Sequence, residues 1–534
     1  MTSTALPAIV AELKGGDAYV WVLNGYLLTR YVTSLSHTHP LTARSTVSQP
    51  LYAQLSFFLG RRHPSLLSTS LFLLGSGISG FARSTTTLIA GRVVQGLGGG
   101  GIMILPQIIV SDLFSVRDRG RYFGIVFGTF GIGTLLGPVL GGVIVENGAW
   151  RWVFLLNLPL AGAALVCQLL FLHLPSPASS PFYTKRGRRA LSSLFSQIQK
   201  IDWLGTLLLS ISITSILIAL SWADTRHSWS SHQILLPLLL GLLGTLLFHT
   251  YERSPRCTLP TIPPILFANP LCATTLLLTF LHSLLTFWRI YFLPLYFQSV
   301  LLHTPSRSGI LLLPSFASAM PVYLLAGWLL TRTGRYKPLH LTGCLILLVA
   351  AGLYTTFSST SGLAEIVVFQ SLAGISTGML LTTLLPAAQA DLPQSLVTAV
   401  TGTFGFMRSY GSVLGIAIPA AIFNARFEAL RHNIGDERVR GELGLGRAYQ
   451  HGTKAWVGGI REERTKVEVV GVYEGSLRIV WQVALGLTGV ACLLVLAERE
   501  VPLLKTLEGE GEEMVEREGR GDREWWWRKG WRKM

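Results

Sequence analysis

From residue 17 onward the chain repeats one pattern, about 20 apolar residues followed by a short polar break. Runs of that length match a hydrocarbon core about 30 Å thick, and only a helix satisfies its own backbone hydrogen bonds inside lipid. The alternating segments of about ten residues that build a membrane β-barrel are missing. Spans are therefore expected at 17–28 (resuming after an anomalous insert), 66–81, 86–110, 122–145, 152–172, 203–222, 234–249, 271–297, 309–330, 339–357, 364–388, 397–423 and 477–497. The opening segment "STALPAIVAEL" reads as the end of one further span whose start is missing.

One stretch breaks the pattern. Between "GYLLT" and "STVSQPLYAQL" lies "RYVTSLSHTHPLTAR", residues 30–44, with Arg30, His37, His39, Pro40 and Arg44 where a helix should be crossing lipid. Burying those groups in hydrocarbon is costly. Deleting the fifteen residues restores a continuous helix, so the stretch reads as a short intron translated in frame. A real kinked or re-entrant loop is the alternative.

Composition agrees with the membrane reading. Half of the 534 residues are apolar, 13% are charged and mean hydropathy is +0.47, too little polar surface for a soluble globule. The net charge of +16 is scattered over short loops, which argues for membrane topology and against nucleic acid. One set of alternate loops carries fifteen Lys and Arg and the other four, which puts the first set in the cytoplasm. The five cysteines lie far apart without metal-ligand or disulfide spacing. The N-terminus lacks the basic and long apolar regions of a secretory signal, and "EGEGEEMVEREGRGDREWWWRKGWRKM" reads as a disordered tail or an interfacial anchor.

Two blocks carry mechanism. In "GIVFGTFGIGTLLGPVLGG" a single helix holds Gly124, Gly133, Gly137, Pro138, Gly141 and Gly142. Gly133, Gly137 and Gly141 are spaced by four, a small-residue face along which another backbone can approach, and Pro138 favours a bend. In "LIAGRVVQGLGGGGIMILPQIIVSDLF", Arg92 lies in an apolar run, at roughly 2.5–3.5 kcal/mol if it faced lipid near the centre. Arg92 is expected to face the bundle interior or a water-filled cavity, or to snorkel to an interface. The run Gly96 to Gly101 sits inside a span, not between a strand and a helix, so a nucleotide loop is rejected.

The first block closely resembles the antiporter motif of the major facilitator superfamily, and "RVVQG" with its glycine run looks like that family's fourth-helix motif. Together with "RDRGRYFG", "WRWVFLLNLPLAG", "IYFLPLYFQ", "SGILLLP" and "LRIVWQVALG", the chain is similar to the fungal fourteen-span drug:proton antiporters. The resemblance implies an all-α polytopic membrane protein, two six-helix halves plus two extra central helices, with the first helix truncated here. The divisions expected are 1–172 (N-terminal half), 173–202 (cytoplasmic loop), 203–250 (two linker helices), 251–424 (C-terminal half), 425–476 (extracellular loop), 477–497 (last helix) and 498–534 (cytoplasmic tail). It also links Arg92 to proton coupling.

"AQLSFFLGRR" departs from the family's cytoplasmic gate loop. It keeps Gly60, Arg61 and Arg62 but has Phe57 where an aspartate belongs, so latching should be weakened or supplied elsewhere. "LAGWLLTRTGRYKPL" (325–339) resembles the second-half copy of that loop. Polar and aromatic groups at membrane depth make substrate-cavity candidates of Trp21, Asn24, Tyr26, Gln107, His282, Arg289, Tyr291, Gln370 and Arg408. Each has a plain packing reading beside the functional one.

No Walker, G-x-S-x-G or H-E-x-x-H sequence and no paired-carboxylate site stands out, so neither an enzyme nor an ATP-driven pump is expected. The resemblance implies proton-coupled export of small amphipathic molecules, without cofactor, by a monomer in the plasma membrane or a vacuolar or vesicular membrane. Proton-coupled uptake and a non-transporting product of a degenerate gene are the rivals.

Overall fold

The computed structural model describes residues 48–146, 150–172, 202–223, 228–254, 257, 260–444 and 447–503. The first expected span, the 30–44 insert, the 173–201 loop and the tail beyond 503 lie outside them. The described elements are helices: α1 Ser48–Leu59, α2 Arg62–Gly80, α3 Thr85–Leu113, α4 Val116–Glu146, α5 Trp152–Phe171, α6 Trp203–Trp222, α7 His232–Glu252, α8 Pro270–Ser299, α9 Leu313–Thr333, α10 Lys337–Tyr354, α11 Leu363–Gln389, α12 Gln394–Leu430 and α13 Glu463–Ala497. Nine of the described helices are long and apolar enough to cross a membrane.

Local chemistry sets the helix ends. Ser84 opens α3 by accepting from the Thr87 amide, Asp202 opens α6 from the Gly205 amide, and Asn269 opens α8 from Leu271 and Cys272 with Pro270 in the first turn. Gly334 ends α9 at φ +68, a left-handed conformation that a side chain would resist.

Two helices outrun the hydropathy that announced them. α12 continues to Leu430 rather than stopping at 423, and α13 starts at Glu463 rather than 477. The added stretch of α13 is charged, which masks it as a span, yet it is laced by Glu463–Lys466, Arg464–Glu468 and Glu474–Arg478 pairs at helical spacing. The segment expected as an extracellular loop thus has helix at both ends. Between them the short helices Glu437–Glu442, Ala448–His451 and Lys454–Val457 fold back on the bundle, where Tyr473 donates to the Ala448 carbonyl at 2.6 Å.

Helix α2 packs on both α3 and α5 in the N-terminal half. In the C-terminal half α8 packs on α12, α11 on α9 and α10, and α13 on α8, α10 and α12. The hairpin α6–α7 leans on the C-terminal half through α6 and α12. The halves meet where α4 crosses α9 and α11, and where α1 and α3 meet α12. A β-carbon built on Gly124 would come 2.5 Å from the Tyr323 carbonyl oxygen, so only glycine permits the α4–α9 crossing.

Candidate functional site: the seam between the halves

The positive loops cluster where the seam is closed. Gly60, at φ +74, turns the chain between α1 and α2 and sends Arg61 back into the protein. The buried Arg61 guanidinium donates to both carboxylate oxygens of Asp112, at 2.6 and 3.1 Å, and to the Ser56 carbonyl at 2.9 Å. Its fourth bond crosses the seam to the Thr398 hydroxyl on α12, at 3.0 Å. Arg62 stays within its own half, on the Leu169 carbonyl of α5.

Two further arginines cross nearby. Arg117, at the start of α4, donates to the Thr331 and Arg332 carbonyls at the end of α9, at 2.7 and 2.6 Å. Those carbonyls are left over by the helix terminus and carry its negative dipole end. Buried Arg119 donates to Gln389 of α11, whose amide donates in turn to Ser111 of α3 and Thr401 of α12. Four helices are tied by one network.

The α4–α9 side of the seam stays in close contact along its length: a β-carbon on Gly120 would stand 2.7 Å from Leu330 and one on Gly131 3.5 Å from Tyr323. Deeper in the seam Arg408 of α12 reaches across, its guanidinium carbon 5.7 Å from the Phe127 ring centroid and a nitrogen 3.9 Å from the Met103 sulfur. Phe127 faces Tyr323 at 6.2 Å, and Tyr410 lies between Phe280 and Phe406 at 5.4 and 5.8 Å. The result is a cationic, aromatic wall that can stack flat amphipathic molecules and hold a polar end.

The Major Facilitator Superfamily model matches residues 1–416. The chain belongs to the major facilitator superfamily. It is 41% identical over 508 residues to the MFS-type transporter gkaD of Penicillium citrinum, covering 95% of this chain and 82% of that one. It is 39% identical over 509 residues to the MFS-type efflux pump LUC4 of a Fusarium species, covering 95% and 86%. The Acurin A biosynthesis cluster MFS-type transporter of Aspergillus aculeatus is 41% identical over 502 residues, with 93% and 86% covered. The fold alone is shared with human MFSD10, an organic anion transporter (TM-score 0.52, 16% identity, 92% and 88% covered), and with the proton:xylose symporter XylE (0.52, 13%, 95% and 94%). This chain is accordingly a multi-pass membrane transporter, and not an enzyme, that handles small molecules.

The major facilitator architecture separates the candidates from the sequence. Gln107 and Arg408 lie on the seam, both against Met103; the Gln107 amide donates to the Met103 carbonyl at 2.8 Å and its Oε1 meets no donor among the described residues. Arg289, His282 and Gln370 are buried inside the C-terminal half. Arg289 donates to Thr377 at 3.1 Å, and Gln370 to the Leu311 carbonyl. His282 lines a small apolar cavity with Leu285, Cys344, Leu380 and Ala491. Tyr291 lies beneath the folded loop, its carbonyl accepting from the Tyr449 hydroxyl at 3.4 Å. Trp21, Asn24 and Tyr26 fall outside the described residues.

Arg92 is buried within the N-terminal half. It donates to Gln95 Oε1 at 2.6 Å, Gln95 donates to Ser76 at 2.7 Å, and the guanidinium carbon stands 5.5 Å from the Phe154 ring centroid. The interior position is the one desolvation demands, and no snorkelling is needed. The glycine-run helix lies tight on α2, where side chains on Gly98 and Gly101 would strike Ser68.

Of the motif's glycines, Gly124 admits the backbone of α9 at Tyr323, one turn from Gly120, whose carbonyl faces Gly327. α4 continues as helix through Pro138, Gly141 and Gly142 to Glu146. The missing loop aspartate is made good by Asp112, at the far end of α3 in "VSDLF", which the sequence reading passed over. A carboxylate closing an apolar helix beside the positive loops was the available signal.

Proposed function

We propose that this transporter is a proton-driven exporter of small amphipathic molecules, including drugs, toxins and secondary metabolites, acting by alternating access. The observation that carries the reading is 39% identity over 95% of the chain to proteins named as efflux pumps. The latched cytoplasmic end supports it, because an exporter must offer a state closed to the cytoplasm and open to the outside. In that state a proton enters from outside and biases the halves by its differential affinity for the two arrangements. The cavity then opens inward, takes up substrate and returns. The energy source is the proton gradient, with neither ATP nor a cofactor. Arg92 takes part in proton coupling; Gln107 and Arg408 face the substrate on the seam. The protein works as a monomer in the plasma membrane.

The reading is tested in a host stripped of its own pumps. Expression should lower accumulation of a fluorescent amphipathic dye, and a protonophore should abolish the difference. Arg92→Ala should end substrate-driven proton flux while leaving the amount inserted in the membrane unchanged. Dye export that survives collapse of the gradient would sink the coupling, and uptake in place of export would sink the direction.

A further inference from the structure

Six residues after α13 run back across the cytoplasmic end of the C-terminal half. The Leu503 amide donates to the Gly334 carbonyl at 3.3 Å, and the Val501 amide donates to the Tyr336 hydroxyl at 2.8 Å. That hydroxyl donates to the Arg499 carbonyl at 2.6 Å, and Lys337 donates to the Glu498 carbonyl at 2.6 Å. The Glu498 carboxylate is wholly buried against His340, at 2.9 Å, and Glu500 takes both arms of Arg335, at 2.7 and 2.9 Å. A terminal segment with only a tethering role would not bond at nearly every residue.

This strap also reaches the seam. Val501 and Leu503 are buried in one cluster with Val116 of the N-terminal half and with Leu330, Tyr336 and Ala387 of the C-terminal half. Gly334 is held from both sides, since its carbonyl takes the strap's Leu503 while a β-carbon there would meet the Arg117 guanidinium at 3.5 Å. The two halves repeat one device: a left-handed glycine followed by an arginine that grips a carboxylate. Gly60 and Arg61 take Asp112; Gly334 and Arg335 take Glu500.

We propose that Glu498–Leu503 is a working part of the cytoplasmic gate, positioning the α9–α10 turn for closure and giving up the apolar cluster it shares with Val116 whenever the gate opens. The proposal rests on the alternating-access reading and adds a gate element to it. When the halves rock apart, Val501 and Leu503 lose one wall of their cluster, so their apolar side chains favour the cytoplasm-closed state.

The test uses the full chain in membranes, with Cys167 and Cys257 replaced by Ser. Single reporters are placed at Ala387→Cys, buried in the closed gate, and Gly133→Cys, exposed on α4 with open space around it. Val501→Ser with Leu503→Ser should raise cytoplasmic labelling of the first reporter about tenfold and lower external labelling of the second. Tyr336→Phe removes two strap bonds, keeps the apolar ring, and should shift both reporters in the same directions if the double variant does not fold. Opposite movement of the two reporters supports a gate role. Unchanged labelling at both, or a rise at both, overturns it, the latter showing that the strap merely holds the fold together. Because labelling needs no substrate, absence of export by the unaltered chain with the reporters still moving would refute the exporter reading and leave the strap standing.

Discussion

Replacing Thr398 by Val keeps the shape of the side chain and deletes one hydrogen bond. Arg61 makes four bonds, to Asp112 Oδ2, Asp112 Oδ1, the Ser56 carbonyl and the Thr398 hydroxyl, and only the last joins the halves. A hydrogen bond to a charged partner contributes about 1.5–3 kcal/mol net. The low end applies, because Arg61 keeps its three other acceptors and regains water at the vacated position when the gate opens. About 1.5 kcal/mol corresponds to roughly a tenfold change in the ratio of the two states. Thr398→Val should therefore populate the cytoplasm-open form about tenfold more. The Ala387→Cys reporter would label that much faster from the cytoplasmic side, with the quantity of protein in the membrane unaltered.

Asp112→Asn tests the same site differently. It removes no bond across the seam but leaves a guanidinium, 6% exposed, against a neutral amide. Breaking a fully buried pair costs about 3–5 kcal/mol, and Asp112 at 27% exposure belongs at or below the lower limit. The loss should show in thermal stability as well as in gating, and the two substitutions should be non-additive because they share Arg61. A change under about twofold in labelling with Thr398→Val, in folded protein, would mean that the latch is not what holds the gate, and that Arg117 and Arg119 carry it.

Gly124→Ala should destabilise the protein in detergent by about 1–3 kcal/mol, since the added carbon must push α9 away, whereas Gly133→Ala should be near neutral; thermal unfolding of the pair decides. Glu498→Ala leaves a buried His340 ring nitrogen without its partner and should cost about 1–3 kcal/mol, while His340→Leu with Glu498→Leu should recover much of it. For Glu500, the hydrogen bond and charge of Arg335 hold the carboxyl below its ordinary value of 4.5. A lowered folded-state pKa makes the stabilisation complete above that ordinary value and removes it only as pH falls through the lowered one. Strap-dependent labelling should thus be flat from about pH 5.5 to 8, and a transition in that window would point to another group.

The spans were legible because lipid imposes one length and one polarity on every crossing helix. They failed where those constraints stop: the charged first turns of α13 lie beyond any apolar run and are held by pairs such as Arg464–Glu468. The motif glycines were legible as a packing face, but not which of them pack. That depends on the angle between halves, and the sequence of α4 does not contain it. Asp112 was invisible for a related reason. Its partner is 51 residues away and its role follows from where the Gly60 turn aims Arg61, a tertiary fact. The polar residues at depth divided the same way: helical spacing puts His282 and Arg289 on one face of α8, but only the packing shows what that face meets, Leu380 and Ala491 around His282 and Thr377 beside Arg289.

The two copies of the glycine–arginine device are unequal, and the inequality says what holds each. Arg61 is 6% exposed, while Arg335 is 63% exposed. An exposed pair contributes about 0–1 kcal/mol, so the Arg335–Glu500 contact orients the strap without fastening it. In the C-terminal half the carboxylate that closes α11, Asp391, is engaged by Asn269 at 3.2 Å, and the strap's Glu500 takes its place on the arginine. The strap must then be fastened by Tyr336, Val501 and Leu503, which are fully or nearly buried. Burying a Val or Leu side chain is worth about 1.5–3 kcal/mol, more than the surface pair can give. Glu500→Gln should accordingly leave both gate reporters almost where they were, and Leu503→Ser alone should move them; the reverse order would mean that charge, not apolar burial, closes this end of the gate.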